Sequence, residues 1–167
     1  MAIALSTLGT GADSAASDAI SWTHNVTDNT NGILIASLCH ANTGTVIASP
    51  KFGGQNLTKI IGTTETIRGE LWYLLNPPTG LGTLNGTFSN SSSDRAGISR
   101  VYTGVHQTTP IGGSINATLS AGASGSIVLS LSTNALFVGD EACNDDDLVV
   151  NIGNERGTAN PSVFLEV

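Results

Sequence analysis

Three phrases decide the fold: FGGQNLTKI at 52–60, ELWYLLNPPTG at 70–80 and YTGVHQTTP at 102–110. Each joins a strand-forming run of apolar, β-branched or aromatic residues to a tight turn. Gly53 and Gly54 supply the conformational freedom of the first turn. Pro77 and Pro78 cannot donate to a β-ladder, so the strand before them must end near Asn76. Gly80 then permits the positive φ of a corner.

Working outward, apolar alternation and turn signals recur about every 8–14 residues, the spacing of an all-β sandwich or barrel. The pattern predicts strands over 2–7, 19–24, 32–41, 44–48, 56–63, 68–75, 82–89, 96–105, 112–119, 125–132, 134–139, 147–152 and 161–167. Residues 83–89 alternate strictly, with Leu84 and Phe88 against Thr83, Asn85, Thr87 and Ser89. Residues 126–132 do nearly the same, and such strands have one buried and one wet face. Residues 33–38 and 71–75 are apolar on both sides, which predicts central strands covered twice, by the same chain or by a neighbouring subunit. No amphipathic helix is evident. GADSAASDAI at 11–20 comes nearest and predicts at most a short helical turn. The expected architecture is one domain over 1–167, a single antiparallel β-sandwich of jelly-roll or Ig-like type, with a short arm at 1–18.

Gly, Ser, Thr and Asn make up 72 of the 167 residues, and only 11% are charged. Sheets built this way present hydroxyls and amides rather than charges. The net charge is −7 with six Lys and Arg, and no Lys follows Lys59. A nucleic-acid partner, which needs a basic footprint, is therefore not expected. No run approaches the roughly 18 apolar residues of a membrane helix. Residues 1–19 lack the basic region and long apolar stretch of a signal peptide. Cys39 and Cys143 are too few for a disulfide framework and read as two free thiols, with a single bridge between them as the alternative.

The inventory for chemistry is thin. His24, His40 and His106 have no metal-ligand spacing. No G-x-S-x-G elbow occurs, and GASGS at 122–126 has the wrong residues around its serine. Glu65 and Glu70 flank Arg68, but an i, i+5 pair on one strand points to opposite faces, so an Arg–Glu surface pair is the simpler reading. DEACNDDD at 140–147 is the richest polar cluster. Its Asp140, Glu141, Asp145, Asp146 and Asp147 offer oxygen ligands for Ca²⁺, but without EF-hand spacing, and a solvated acidic loop is the simpler reading. Apart from that calcium loop the sequence calls for no cofactor. Trp22, among polar neighbours in SWTHN, is the best candidate for an exposed ring on which a sugar could stack, with a core position as the simpler reading.

The order of the three opening phrases resembles a β-sandwich module of bacteriophage virion proteins and bacterial surface proteins, over about 60 residues. The resemblance assigns framework roles to Gly53, Gly54, Leu57, Trp72, Leu74, Pro77, Gly104, Val105, Gln107 and Pro110, and no catalytic role to any residue. It implies a non-enzymatic structural protein of a phage particle, a capsid decoration or cement protein or a fibre or spike module. The implied partners are other virion proteins such as the major capsid protein and further copies of this chain, on a particle assembled in the host cytoplasm. Strand edges and the AIALS segment at 2–6 are the expected contacts. A carbohydrate-binding or adhesin domain, using Trp22 and the acidic loop, is the alternative.

Overall fold

The computed structural model describes residues 3–14, 17–41, 48–62, 67–89, 95–114, 138–142, 154–159 and 162–166. Thirteen strands follow in order: β1 (Ala4–Leu8), β2 (Ala12–Ser14), β3 (Ala19–Val26), β4 (Ile33–Ala41), β5 (Lys51–Phe52), β6 (Gln55–Asn56), β7 (Thr58–Gly62), β8 (Ile67–Leu75), β9 (Gly80–Thr87), β10 (Arg95–Thr103), β11 (Val138–Ala142), β12 (Asn154–Ala159) and β13 (Ser162–Glu166). Among the described residues there is no helix. The protein is all-β and antiparallel throughout, consistent with a sandwich.

The large sheet runs β1-β10-β4-β8-β7, with β2 beside β1 on the same flank of β10. The second sheet runs β3-β9-β5-β6. Ile20, Trp22 and Val26 of β3, Leu84 of β9 and Phe52 of β5 pack against Leu34, Ala36 and Leu38 of β4, Trp72 of β8 and Val101 of β10. These form the main core between the two sheets.

β3 shows how period-2 geometry selects the inner set: Ile20, Trp22, His24 and Val26 are buried, while Ala19, Ser21, Thr23 and Asn25 are exposed. β9 answers with Leu84 and Gly86 inside and Thr83, Asn85 and Thr87 outside, as its alternation predicts. β4 is different, because every residue from 33 to 39 is buried. Its other face, with Ile33 and Ile35, builds a second cluster with Ile98, Tyr102 and Val105, against which Leu5, Leu71, Tyr73 and Leu75 pack. A third sheet, β11-β13-β12, approaches β4, β8 and β10. The double cover predicted for 33–38 and 71–75 is thus supplied within this chain.

The turns follow their residue chemistry. Phe52 pairs with Gln55 across Gly53 (φ 56°) and Gly54 (φ 81°), a two-residue hairpin with positive φ at both turn positions. The run predicted as one strand over 56–63 is broken at Leu57, whose N–H donates to Pro50 O (2.8 Å) and whose side chain is buried. β8 stops at Leu75, and Asn76 turns into the left-handed region (φ 48°) before the two prolines. Among the described residues of 11–20 the expected helical turn is not seen. Residues 12–14 are strand β2, because pairing with β10 satisfies backbone groups that so weakly apolar a helix could not hold. Ala48 is a bend and 111–114 are irregular, so the strands predicted over 44–48 and 112–119 are not seen there. The strand predicted over 125–132 and that over 147–152 lie outside the described residues.

Candidate functional site

The framework residues of the three opening phrases converge at one end of the sandwich. Gly104 N–H donates to Thr30 O (3.1 Å), Val105 N–H to Asn31 O (2.9 Å) and Asn76 N–H to Gly32 O (2.9 Å). Asn29 Nδ2 donates to Pro77 O (2.9 Å), and Gln107 Nε2 donates to Val105 O (2.9 Å). A Cβ on Gly53 would lie 2.6 Å from Pro78 Cγ, so glycine is required there by contact as well as by φ. Gly104 also has a positive φ (75°), Pro77 and Trp72 are buried, and Pro110 is half-buried. Asp28 opens this corner by accepting from the Thr30 backbone N–H and hydroxyl (both 2.8 Å), and the backbone bond leads in lowering its carboxyl pKa. The corner is a set of caps and turns bonded within itself, except that Gln107 Oε1 is buried without a hydrogen-bond partner.

The densest polar geometry lies inside the sandwich. Ser99 Oγ of β10 is 2.8 Å from His24 Nδ1 and accepts from Trp22 Nε1 at 2.9 Å. The other imidazole nitrogen, His24 Nε2, is 2.8 Å from Thr7 Oγ1 of β1. A serine beside an imidazole is the first half of a nucleophile arrangement. Here Ser99 and His24 are 0% and 1% exposed, and a threonine hydroxyl holds the imidazole where a carboxylate would stand in a triad. Burial, with a smaller push from the Arg100 charge, lowers the His24 pKa from 6.5 to about 4, so the ring is neutral. One donor and one acceptor nitrogen then match two hydroxyls that can each donate or accept. The arrangement is a hydrogen-bonded network within the core.

β1 reaches this network through a bulge. The register shifts between Leu5, opposite Tyr102, and Thr7, opposite Val101. The extra residue lets Leu5 join the second apolar cluster while Thr7 points inward to His24, although the two are only two positions apart. Ser6, the extra residue, donates through Oγ to Asp28 O (3.1 Å). Gly9 continues the pairing with its N–H on Ser99 O (2.9 Å), and a Cβ there would collide with Ser99 Oγ. Thr10 crosses to the other sheet, its N–H on Thr23 O (3.0 Å) and its Oγ1 accepting from Thr23 N–H (3.2 Å). Residues 3–14 therefore form a strap along one side of both sheets. Within the AIALS segment, expected as a contact between subunits, Ala4 and Leu5 pair with β10 of the same chain.

Trp22, expected at the surface if it were to stack on a sugar, is a core residue at 3% exposure. Its position shares strand parity with Ile20 and Val26, and its N–H is used by Ser99. The rings of Phe52, Trp72, Phe88, Tyr102 and half-buried Tyr73 are also turned in. Glu70, expected at the surface, is a buried residue. It is 2% exposed, lies 3.0 Å from Lys59 Nζ across β7–β8, and accepts from Trp72 Nε1 (3.1 Å). Sequence reasoning passed over this ion pair, and the one available signal is a lone acid within the apolar run of β8. His106 is exposed and accepts at Nδ1 from Thr109 N–H (3.1 Å), capping a turn.

Of the acidic cluster, Asp140 and Glu141 belong to β11, opposite Phe164 and Val163, so a strand replaces the loop expected there. Asp145, Asp146 and Asp147 lie outside the described residues, as do Glu65 and Cys143. Among the described residues no three His, Cys, Asp or Glu side chains gather as a metal site.

Set beside known proteins, the chain matches no family model, no curated protein and no solved structure.

Proposed function

We propose that this chain is a non-enzymatic structural module of a phage particle, either a capsid decoration or cement protein or part of a fibre or spike. The observation that carries the reading is the contrast between interior and surface. The imidazole and hydroxyl groups that resemble chemistry are spent on joining strands, whereas the outer face of the second sheet carries no charge across β3 and β9, with Lys51 of β5 beside Asn85 at its far side. Ala19, Ser21, Thr23 and Asn25 of β3 stand beside Thr87, Asn85, Thr83 and Leu81 of β9, all exposed and none charged, in a chain of net charge −7. A flat face of hydroxyls and amides can lie against a protein surface with little charge desolvation.

On this reading the partners are other virion proteins, such as the major capsid protein, and further copies of the chain, on the surface of a particle assembled in the host cytoplasm. Support comes also from the likeness of the three opening phrases to virion and surface modules. The burial of Trp22 removes the main support for a sugar-binding alternative. Mass spectrometry across a density gradient of native material tests the proposal. Co-sedimentation with a large particle in fixed stoichiometry is the expected result. Recovery only among free soluble proteins overturns it.

A further inference from the structure

The strap of residues 3–14 is held by the pairing of β1 and β2 with β10 and, in addition, at one buried polar point in the core. Thr7 is aimed inward by the bulge at Ser6, Gly9 has no side chain and so fits against Ser99 and His24, and Thr10 bonds to β3 immediately beside His24. All three features focus the strap on one imidazole. That ring has 1% exposure and bonds on both nitrogens.

A second proton changes the count at this point. A neutral imidazole offers one donor and one acceptor, whereas an imidazolium has two donors. Both hydroxyl oxygens must then accept from the ring, Ser99 Oγ while it also accepts from Trp22 Nε1, so the O–H that had donated to the ring must turn its hydrogen away from it. No described carboxylate of the surrounding elements is bonded to the ring. β1 and β9 carry no titratable side chain, and β5 carries Lys51. β10 carries Arg95 and Arg100, and β2 carries Asp13, which pairs with Ala96 three positions along β10 from Ser99. Asp28, beyond the end of β3, is held by Thr30.

We infer that His24 is an acid-sensitive latch: when its imidazole takes up a proton from solvent, the strap of residues 3–14 detaches from β3 and β10 and leaves the outer edge of β10 unpaired. Opening gives Nε2 access to water, where the ring regains its ordinary affinity for protons. The folded-state pKa is depressed, so the closed strap has its full advantage above pH 6.5 and loses it as pH falls towards about 4. Tenfold per pH unit over that window amounts to roughly a 300-fold fall in the closed-to-open ratio. A bared β10 edge is a row of backbone donors and acceptors open to another strand.

Hydrogen exchange of the full chain, read by mass spectrometry at pH 7, 5.5 and 4.5 and corrected for intrinsic rates, tests the latch. Expected is a progressive loss of protection in 4–14, by up to about a hundredfold at the lowest pH, while 33–39 and 69–75 keep theirs. His24→Gln, which keeps a donor and an acceptor but cannot titrate, should flatten that dependence. Thr7→Val, which removes the Nε2 partner and leaves the imidazole, should speed exchange of the strap already at pH 7. Loss of protection in strap and central strands together overturns the inference. So does an unchanged strap at pH 4.5, or an unaltered pH profile in His24→Gln. If His24→Gln does not fold, the wild-type profile and Thr7→Val decide.

Discussion

β3 and β4 are strands of similar length that both feed the main core, yet they meet water differently. β4 has no exposed residue from 33 to 39, whereas β3 alternates buried and exposed along its whole run. β4 lies between β10 and β8 and is covered on both faces, while β3 is the edge of a sheet whose outer face is bare. The difference teaches that a polar residue on a half-wet strand is not thereby a surface residue. Parity decides which side it takes, and a buried position is tolerated if its polar atoms find partners. Trp22 and His24 are polar-handled residues on the inner parity of β3, and both are fully engaged.

Trp22→Ala breaks the contrast most severely. It empties an indole-sized space and removes the donor on Ser99, so urea denaturation should show a loss of about 3–5 kcal/mol. Acidification comes next. Because the His24 pKa is lowered in the fold, the unfolded chain binds the extra proton between pH 6.5 and about 4, and stability falls as pH falls. Denaturation midpoints over that range should record a decline of up to about 3 kcal/mol from this residue, absent in His24→Gln. Gly97→Ala sharpens the packing side of the comparison. A Cβ there meets the Trp22 ring, and overpacking of this kind costs about 1–3 kcal/mol, read as a lower denaturation midpoint with a shifted tryptophan emission. Thr23→Ala, one residue from Trp22 but on the outer parity, should cost least. It keeps its backbone bonds to Thr10, and thermal melts should stay within about 0.5 kcal/mol of wild type. If Thr23→Ala and Trp22→Ala were equally damaging, the assignment of faces in β3 would be wrong.

Much of this was legible in the residues. The continuous apolar run of 33–38 announced a twice-covered strand, and Leu84 and Phe88 announced a half-covered one. The prolines after Asn76 and the Gly53–Gly54 pair marked their turns because φ and donor restrictions act on single residues. Trp22 was harder because its immediate neighbours are polar, and the decisive signal, its shared parity with Ile20 and Val26, extends over the whole strand. The bulge at Ser6 was not legible. Nothing in ALSTL says that Leu5 and Thr7 will face opposite ways until β10 sets the register.

By itself the sequence determined an all-β chain, its central strands, its tight corners and a surface poor in charge, because these follow from periodicity, φ restrictions and composition, which are local. Only the tertiary structure decided that His24 joins Thr7 and Ser99, that Lys59 reaches Glu70, and that residues 3–14 strap both sheets together. His24 and Ser99 are 75 positions apart, and a hydrogen bond of 2.8 Å between them depends on the register of two strands in different sheets. That register is fixed by burying the whole core at once, which no local stretch of sequence encodes.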